Sequence, residues 1–294
     1  FKSLRKALSG INRLPQTNFL TRGFRIFRLA LLVLSGLLLT LCLLPVCSRA
    51  ARLRLKSSWA VALLDALGVE VEADLAYLEP GVLVVANHVS WIDIYVINAV
   101  MPVAFVAKAE VRHWPVLGWL AARNDTVFLQ RGSRGHAHVV NQQVAELLGS
   151  GQHVAVFPEG TTTDGRSLLH FHAALLQPAL SAGKPVLPVA ISYWEVDGQR
   201  SLAPRYDGDI SLGQCTRAIL GRKRLIARLV TTPLLGLQGE NRKQVAAAAR
   251  AAIASAAELP LTHNPPEIPA DLPAAMQSND HPIDSRNPVL VDLV

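Results

Sequence analysis

The sequence predicts an α/β domain, a sheet with parallel pairs flanked by helices, behind an N-terminal membrane-embedded helical segment. Three observations carry this. Twenty consecutive residues near the N-terminus, Leu29–Ser48, hold no charge. Short runs rich in Val, Ile and Phe then alternate with stretches of helical periodicity. Apolar residues make up 50% of the 294-residue chain and charged residues 17%, which excludes a disordered chain.

The N-terminal part is basic. Eleven of the 29 Lys/Arg fall in residues 1–56, and the first acidic residue is Asp65. The remainder sets 18 basic against 22 acidic residues, a net of −4. Positive charge confined to one end argues against a nucleic-acid-binding domain, so no nucleic-acid partner is expected. It suits an anionic membrane surface, where each Lys/Arg is worth ~1 kcal/mol.

As a helix, Leu29–Ser48 covers ~30 Å, about the hydrocarbon thickness of a bilayer. Pro45 to Ala50 makes a poor cleavage site, and the apolar run exceeds a usual signal-peptide core. Arginines flank the segment on both sides, so charge does not orient it. A span and a half-inserted hairpin on the cytoplasmic face both fit. Cys42, Cys47 and Cys215 show neither metal-ligand nor redox spacing and read as reduced thiols of a cytoplasmic setting.

The expected organisation is a basic anchoring segment over 1–56 with its apolar helix at 29–48, an α/β domain over 57–258, and a tail over 259–294. Residues 57–68 read as a short apolar helix. Buried strands are expected at Val82–Ala86, Val103–Ala107, Thr126–Leu129, His153–Phe157, Val186–Ile191 and Leu225–Val230. Helices are expected at Ala137–Leu148, Phe171–Ala182 and Asn241–Ala257. Residues 260–294 carry seven of the 18 prolines and no helical period, which suits a mobile tail.

Two loops at strand ends can carry chemistry. The first is Asn87-His88-Val89-Ser90-Trp91-Ile92-Asp93. Within one helix, residues five apart point ~140° from each other. His88 and Asp93 therefore meet only if His88 lies on the incoming loop and Asp93 on the first helical turn. Asp93 then holds Nδ1–H, and Nε2 is left as a general base. Ser90 to Asp93 also reads as a capping box, in which Asp93 serves the backbone instead. The second loop, Phe157-Pro158-Glu159-Gly160-Thr161-Thr162-Thr163, offers amides and hydroxyls to an anionic oxygen or a polar headgroup. Arg131, Arg134 and Lys108 stand at other strand ends as candidate phosphate cations. No histidine pair has convincing metal spacing, so neither metal nor cofactor is expected.

In order along the chain these blocks resemble the lysophospholipid acyltransferases of the 1-acylglycerol-3-phosphate acyltransferase type. Asn87, His88, Ser90 and Asp93 match the His-x4-Asp motif in its usual setting. Val127 to Arg131 match the second block, Phe157 to Thr161 the Phe-Pro-Glu-Gly-Thr block, and Val186 to Ala190 the fourth.

The resemblance implies a mixed α/β fold and transfer of a fatty acyl group from acyl-ACP or acyl-CoA to the free hydroxyl of a lysolipid. It implies His88 and Asp93 as catalytic residues and no acyl-enzyme. Asn87, Ser90, Lys108, Arg131, Glu159, Gly160 and Thr161 are expected around the substrate, with Arg131 and Glu159 toward the headgroup. The expected acceptor is 1-acyl-sn-glycerol-3-phosphate, at the cytoplasmic face of a bacterial inner membrane. Two departures favour a lyso-ornithine lipid acceptor as the alternative. Thr162 stands where many members have Arg, and His172-Ala173-Ala174 stands where Lys-x-Gly commonly follows Phe171. A silent lipid-binding membrane protein is the reading from another class.

Overall fold

The computed structural model describes residues 16–43, 46–75, 79–113, 117–130, 134–236 and 239–261. The expected tail lies almost wholly outside these residues, as does Arg131. Helix α1 (Phe19–Leu38) continues through one π-helical turn, Leu39–Leu43. Helix α2 (Arg49–Leu67) packs back against it. The short helix expected at 57–68 is thus the second half of a longer one. The Ser48 hydroxyl starts α2 by accepting the Ala51 amide. Gly68 ends it in the left-handed region, φ 78°, where a Cβ would meet the Arg25 guanidinium.

The chain then alternates: β1 (Val69–Asp74), β2 (Leu83–Ala86), α3 (Asp93–Val100), β3 (Ala104–Lys108), α4 (Leu117–Arg123), β4 (Val127–Leu129), α5 (Arg134–Gly149), β5 (Val154–Val156), α6 (Gln177–Ala182), β6 (Val186–Glu195), α7 (Leu212–Leu220), β7 (Leu225–Thr231) and α8 (Arg242–Ala256). Among the described residues, seven strands form one sheet in the order β1-β7-β6-β2-β5-β3-β4. Its pairs are parallel except for β6 with β7, so the sheet is mixed.

Strand alternation splits the core between the two faces. Val84 and Ala86 of β2 and Leu187, Val189 and Ile191 of β6 pack with Leu63, Leu64 and Leu67 of α2, Val96 and Ile97 of α3 and Ile219 of α7. Leu83, Val85, Val186 and Ala190 face the other way, onto Val140 and Val144 of α5, Ala179 of α6 and Val245 and Ile253 of α8.

Three expectations shift. The edge strand β1 is absent from the sequence reading because VEVEAD is half acidic. Its outward Glu70 and Glu72 pair with Arg224 and Arg228 of the β7 segment, which suits a sheet edge. The helix expected at Phe171–Ala182 is a 3₁₀ turn, Ala173–Leu176, followed by α6. Phe171 lies outside any helix and His172 is extended, its amide donating to Pro158 O. Strand β6 runs four residues beyond the expected Ile191.

Helix α1 buries none of its side chains, and Phe19, Phe24, Phe27, Leu31 and Leu34 are exposed. Phe19–Leu43 is long and apolar enough to cross a membrane. At its base Arg25 donates to the carbonyls of Arg222 (2.7 Å) and Lys223 (2.8 Å), and Arg28 pairs with Asp65 at 2.5 Å. Higher up, Trp59 Nε1 donates to Leu32 O at 2.9 Å. Within the domain, Lys56 of α2 sets its Nζ on the carbonyls of Val103 (2.5 Å) and Asn124 (3.3 Å).

Candidate active site

Parallel β2, β5 and β3 bring the loops at their C-terminal ends to one edge of the sheet. Asn87 leaves β2 with its side-chain amide closed onto β6. Its Nδ2 donates to Ile191 O at 2.9 Å, and its Oδ1 accepts from Ile191 N at 2.7 Å. That pair of hydrogen bonds fixes where the next residue starts.

His88 is fully buried, and its ring stacks on Phe157, centroids 4.0 Å apart and 13° from parallel. Phe157 stacks in turn against Phe105 of β3. Nδ1 of His88 stands 2.8 Å from Oδ2 of Asp93, the first residue of α3. A carboxylate only accepts, so Nδ1 carries the hydrogen and the lone pair lies on Nε2.

Asp93 also serves the backbone. Its Oδ2 accepts the amides of Val89 (2.7 Å) and Ser90 (2.8 Å), while Oδ1 accepts the hydroxyl of Tyr193. The carboxylate that braces the loop amides thus also meets the imidazole, while no side chain caps α3. The Ser90 hydroxyl does not act as the cap. It is buried 3.9 Å from the Cys215 sulfur, and the residue before α3 is Ile92.

The Phe157–Thr163 loop wraps the histidine from the other side. Gly160 turns it at φ 70°, its amide donating to Phe157 O. Oε1 of Glu159 accepts the His88 amide at 2.8 Å, and Oε2 accepts the Leu169 amide at 2.9 Å. Burial, opposed by these two amides, pushes the Glu159 carboxyl up to about 7. The Thr163 amide closes the ring of contacts on His88 O at 2.9 Å.

The structure thus brings together Asn87, His88, Ser90, Asp93, Glu159, Gly160 and Thr161. Lys108 ends β3 at the same edge, half-buried. Glu159 was expected toward a headgroup; both its oxygens point inward to backbone amides. Thr162, in the loop expected to offer its hydroxyls to a headgroup, is buried and donates its hydroxyl to Tyr206 O. Tyr193 lies beyond Ile191, where the apolar run that predicts β6 stops. The alternation Leu187, Val189, Ile191, Tyr193 continues onto the same face and carried the signal.

A family model described as Acyltransferase matches residues 68–192. A 1-acyl-sn-glycerol-3-phosphate acyltransferase of Neisseria gonorrhoeae is 44% identical over 170 residues, 58% of this chain and 66% of that protein. The chain therefore spans just under two thirds of that relative's length. A lyso-ornithine lipid O-acyltransferase of Pseudomonas aeruginosa is 41% identical over 202 residues, 69% of this chain and 78% of that protein. The crystal structure of the 1-acyl-sn-glycerophosphate (LPA) acyltransferase PlsC from Thermotoga maritima shares the fold. Its TM-score is 0.58 at 24% identity, over 80% of this chain and 96% of that one. The mixed sheet, the motif loops at its edge and a relative matched over most of its length agree, and this chain belongs to the acyltransferase family.

Proposed function

We propose that the protein moves a fatty acyl group from an acyl thioester, acyl-ACP or acyl-CoA, to the free hydroxyl of a lysolipid. The observation that carries this is the buried His88–Asp93 pair at 2.8 Å, set in a chain of this family. A thioester is already activated, so the protein needs to activate only the acceptor. The hydroxyl oxygen attacks the thioester carbonyl as Nε2 of His88 takes its proton. Asp93 steadies the imidazolium. The tetrahedral intermediate then expels the thiolate, which regains a proton from Nε2–H. One ester and one free thiol result, and no acyl-enzyme forms. Exclusion of water from His88 favours the lipid hydroxyl over hydrolysis.

The acceptor we favour is 1-acyl-sn-glycerol-3-phosphate, giving phosphatidic acid, with Lys108 and Arg131 holding the phosphate. The exposed apolar face of α1 and the basic N-terminal segment support a reaction at a membrane surface, for which we take the cytoplasmic face. Lyso-ornithine lipid is the second reading. The Pseudomonas relative, named for that acceptor, matches over the longer stretch, and Thr162 supplies no cation where many members have Arg.

The test is thiol release by the purified full-length protein with acyl-ACP or acyl-CoA and a panel of lysolipids. Acceptor-dependent release that His88→Ala lowers by about 10²-fold or more supports the reading. Vesicle binding without acceptor-dependent release would instead leave a silent lipid-binding protein.

A further inference from the structure

Tyr193 lies on β6, one hundred residues from Asp93 in sequence, and is 3% exposed. It faces the same side of the sheet as Leu187, Val189 and Ile191, against the α3 face that carries Val96 and Ile97. Its hydroxyl meets Oδ1 of Asp93. The other three donors to this carboxylate, His88 Nδ1 and the amides of Val89 and Ser90, all reach Oδ2. The two oxygens are thus held from opposite sides, Oδ2 by the motif's own turn and Oδ1 by the sheet.

We infer that Tyr193 is a positioning residue for the acyl-transfer reaction: its hydroxyl fixes the Asp93 carboxylate in the plane from which Oδ2 receives the Nδ1–H of His88. The inference rests on the acyl-transfer reading for its rate consequences, but not for its geometry. Val89 and Ser90 lie within the loop that Asp93 itself braces, so they move with it. Tyr193 belongs to a ten-residue strand that pairs with β2 over Val186–Val189 and with β7 over Val189–Glu195, Tyr193 itself standing opposite Ala227. It ties the carboxylate to the rigid part of the fold. A carboxylate free to rotate about its last bond would offer the imidazole Oδ1 or Oδ2 at varying angles, and catalytic geometry tolerates little such play.

The phenol remains a donor throughout the working pH range, because burial and the adjoining Asp93 push its pKa well above the ordinary value. The other titratable groups facing the pair are Glu159, on the His88 amide, and Cys215 of α7, beside Ser90. Burial holds the Cys215 thiol up at about 11, so it does not ionise near neutrality. Glu159 at about 7 does, so His88 must be followed by its own ring signals.

The test is Tyr193→Phe, which keeps the ring and removes the hydroxyl, read by ring nitrogen resonances of His88 across pH and by kinetics. With one donor fewer, Asp93 draws the imidazolium proton more strongly, and the His88 titration moves to higher pH. The kcat falls about tenfold or more while KM for donor and acceptor stays within about twofold. Combining Tyr193→Phe with Asp93→Asn is no slower than Asp93→Asn alone. Should Tyr193→Phe fail to fold, 3-fluorotyrosine at position 193, a stronger donor of the same shape, moves the His88 titration to lower pH. A His88 titration unchanged by whichever variant folds overturns the inference. If no thioester and lysolipid pair supports turnover by the wild type, the acyl-transfer reading fails, and the His88 titration still decides the role of Tyr193.

Discussion

Glu159 Oε1 accepts the backbone N–H of His88 at 2.8 Å, across 71 positions of sequence. The contact ties the Phe-Pro-Glu-Gly-Thr loop to the histidine without touching the imidazole. Its cost is a buried carboxyl held near pH 7, against 4.5 for the free group. A carboxyl whose pKa is raised by folding stabilises the fold below its unfolded value and loses that contribution as pH rises through the folded one. Wild-type melting temperature is therefore expected to fall between about pH 4.5 and pH 7 by an increment that Glu159→Gln lacks. Thermal melts of both proteins across that window check it. Parallel pH curves would show that another group governs the slope.

Asp93→Asn is expected to cost more than the loss of one catalytic partner. Four donors converge on this carboxylate, and an amide turns its NH2 toward some of them, leaving buried N–H groups opposed. Rate is expected to fall by about 10²-fold or more, and stability by about 1–3 kcal/mol. His88→Ala should lose rate comparably with less loss of stability, since it removes the stacking on Phe157 and one of the four donors to Asp93 but sets no buried N–H groups against each other. Urea unfolding and initial rates on the same preparations compare the two. Equal destabilisation with a preserved rate would reject the general-base role.

The strands and both chemical loops were legible because each buried strand is a short apolar run ending in a polar turn. His88 and Asp93 were legible because a spacing of five fits one geometry and not another. What was hidden depends on partners far away in sequence. The edge strand β1 looks polar until Arg224 and Arg228 stand opposite Glu70 and Glu72. Glu159 and Thr162 sit in a loop whose composition suits ligand binding. Only tertiary contacts show that both turn inward, one to the His88 and Leu169 amides and the other to Tyr206 O. Tyr193 was hidden by its own mixed neighbours, Ser192 and Trp194, which break the apolar run that marked β6.

Cutting the chain at two nearby points should give opposite outcomes. A protein beginning at Ser48 keeps the cap of α2 and all its core residues but lacks α1. It should fold and lose most binding to phosphatidylglycerol vesicles. One beginning at Ser57 also loses Lys56, whose Nζ docks α2 on the carbonyls of Val103 and Asn124, and should melt earlier. Full-length protein should stay partly bound at high salt, because screening weakens the polybasic contribution but not an inserted apolar helix. Vesicle flotation in low and high salt measures this. Complete release by salt alone would mean that α1 does not insert.

The acceptor headgroup is best decided at Lys108 and Arg131 rather than at Thr162. Thr162 is buried against Tyr206 O, and the Tyr206 amide in turn donates to Val89 O in the histidine loop. Thr162→Arg would force a charge into that contact, so it should slow transfer to a phosphate and an ornithine acceptor alike. A cation at the edge where β3 ends is different. A phosphate lost from a charged hydrogen bond forfeits ~1.5–3 kcal/mol, or about 10- to 150-fold in affinity. An ornithine headgroup sets its own amine against the cation and offers a single carboxylate in place of a phosphate, so it gains less from the same charge. Lys108→Ala and Arg131→Ala should therefore raise KM steeply for 1-acyl-sn-glycerol-3-phosphate and little for lyso-ornithine lipid, with kcat on either nearly unchanged. Steady-state kinetics of both variants on both lysolipids measure the difference. A KM that rises equally for the two acceptors would mean that these side chains support packing or the acyl donor, and the phosphate assignment would fall.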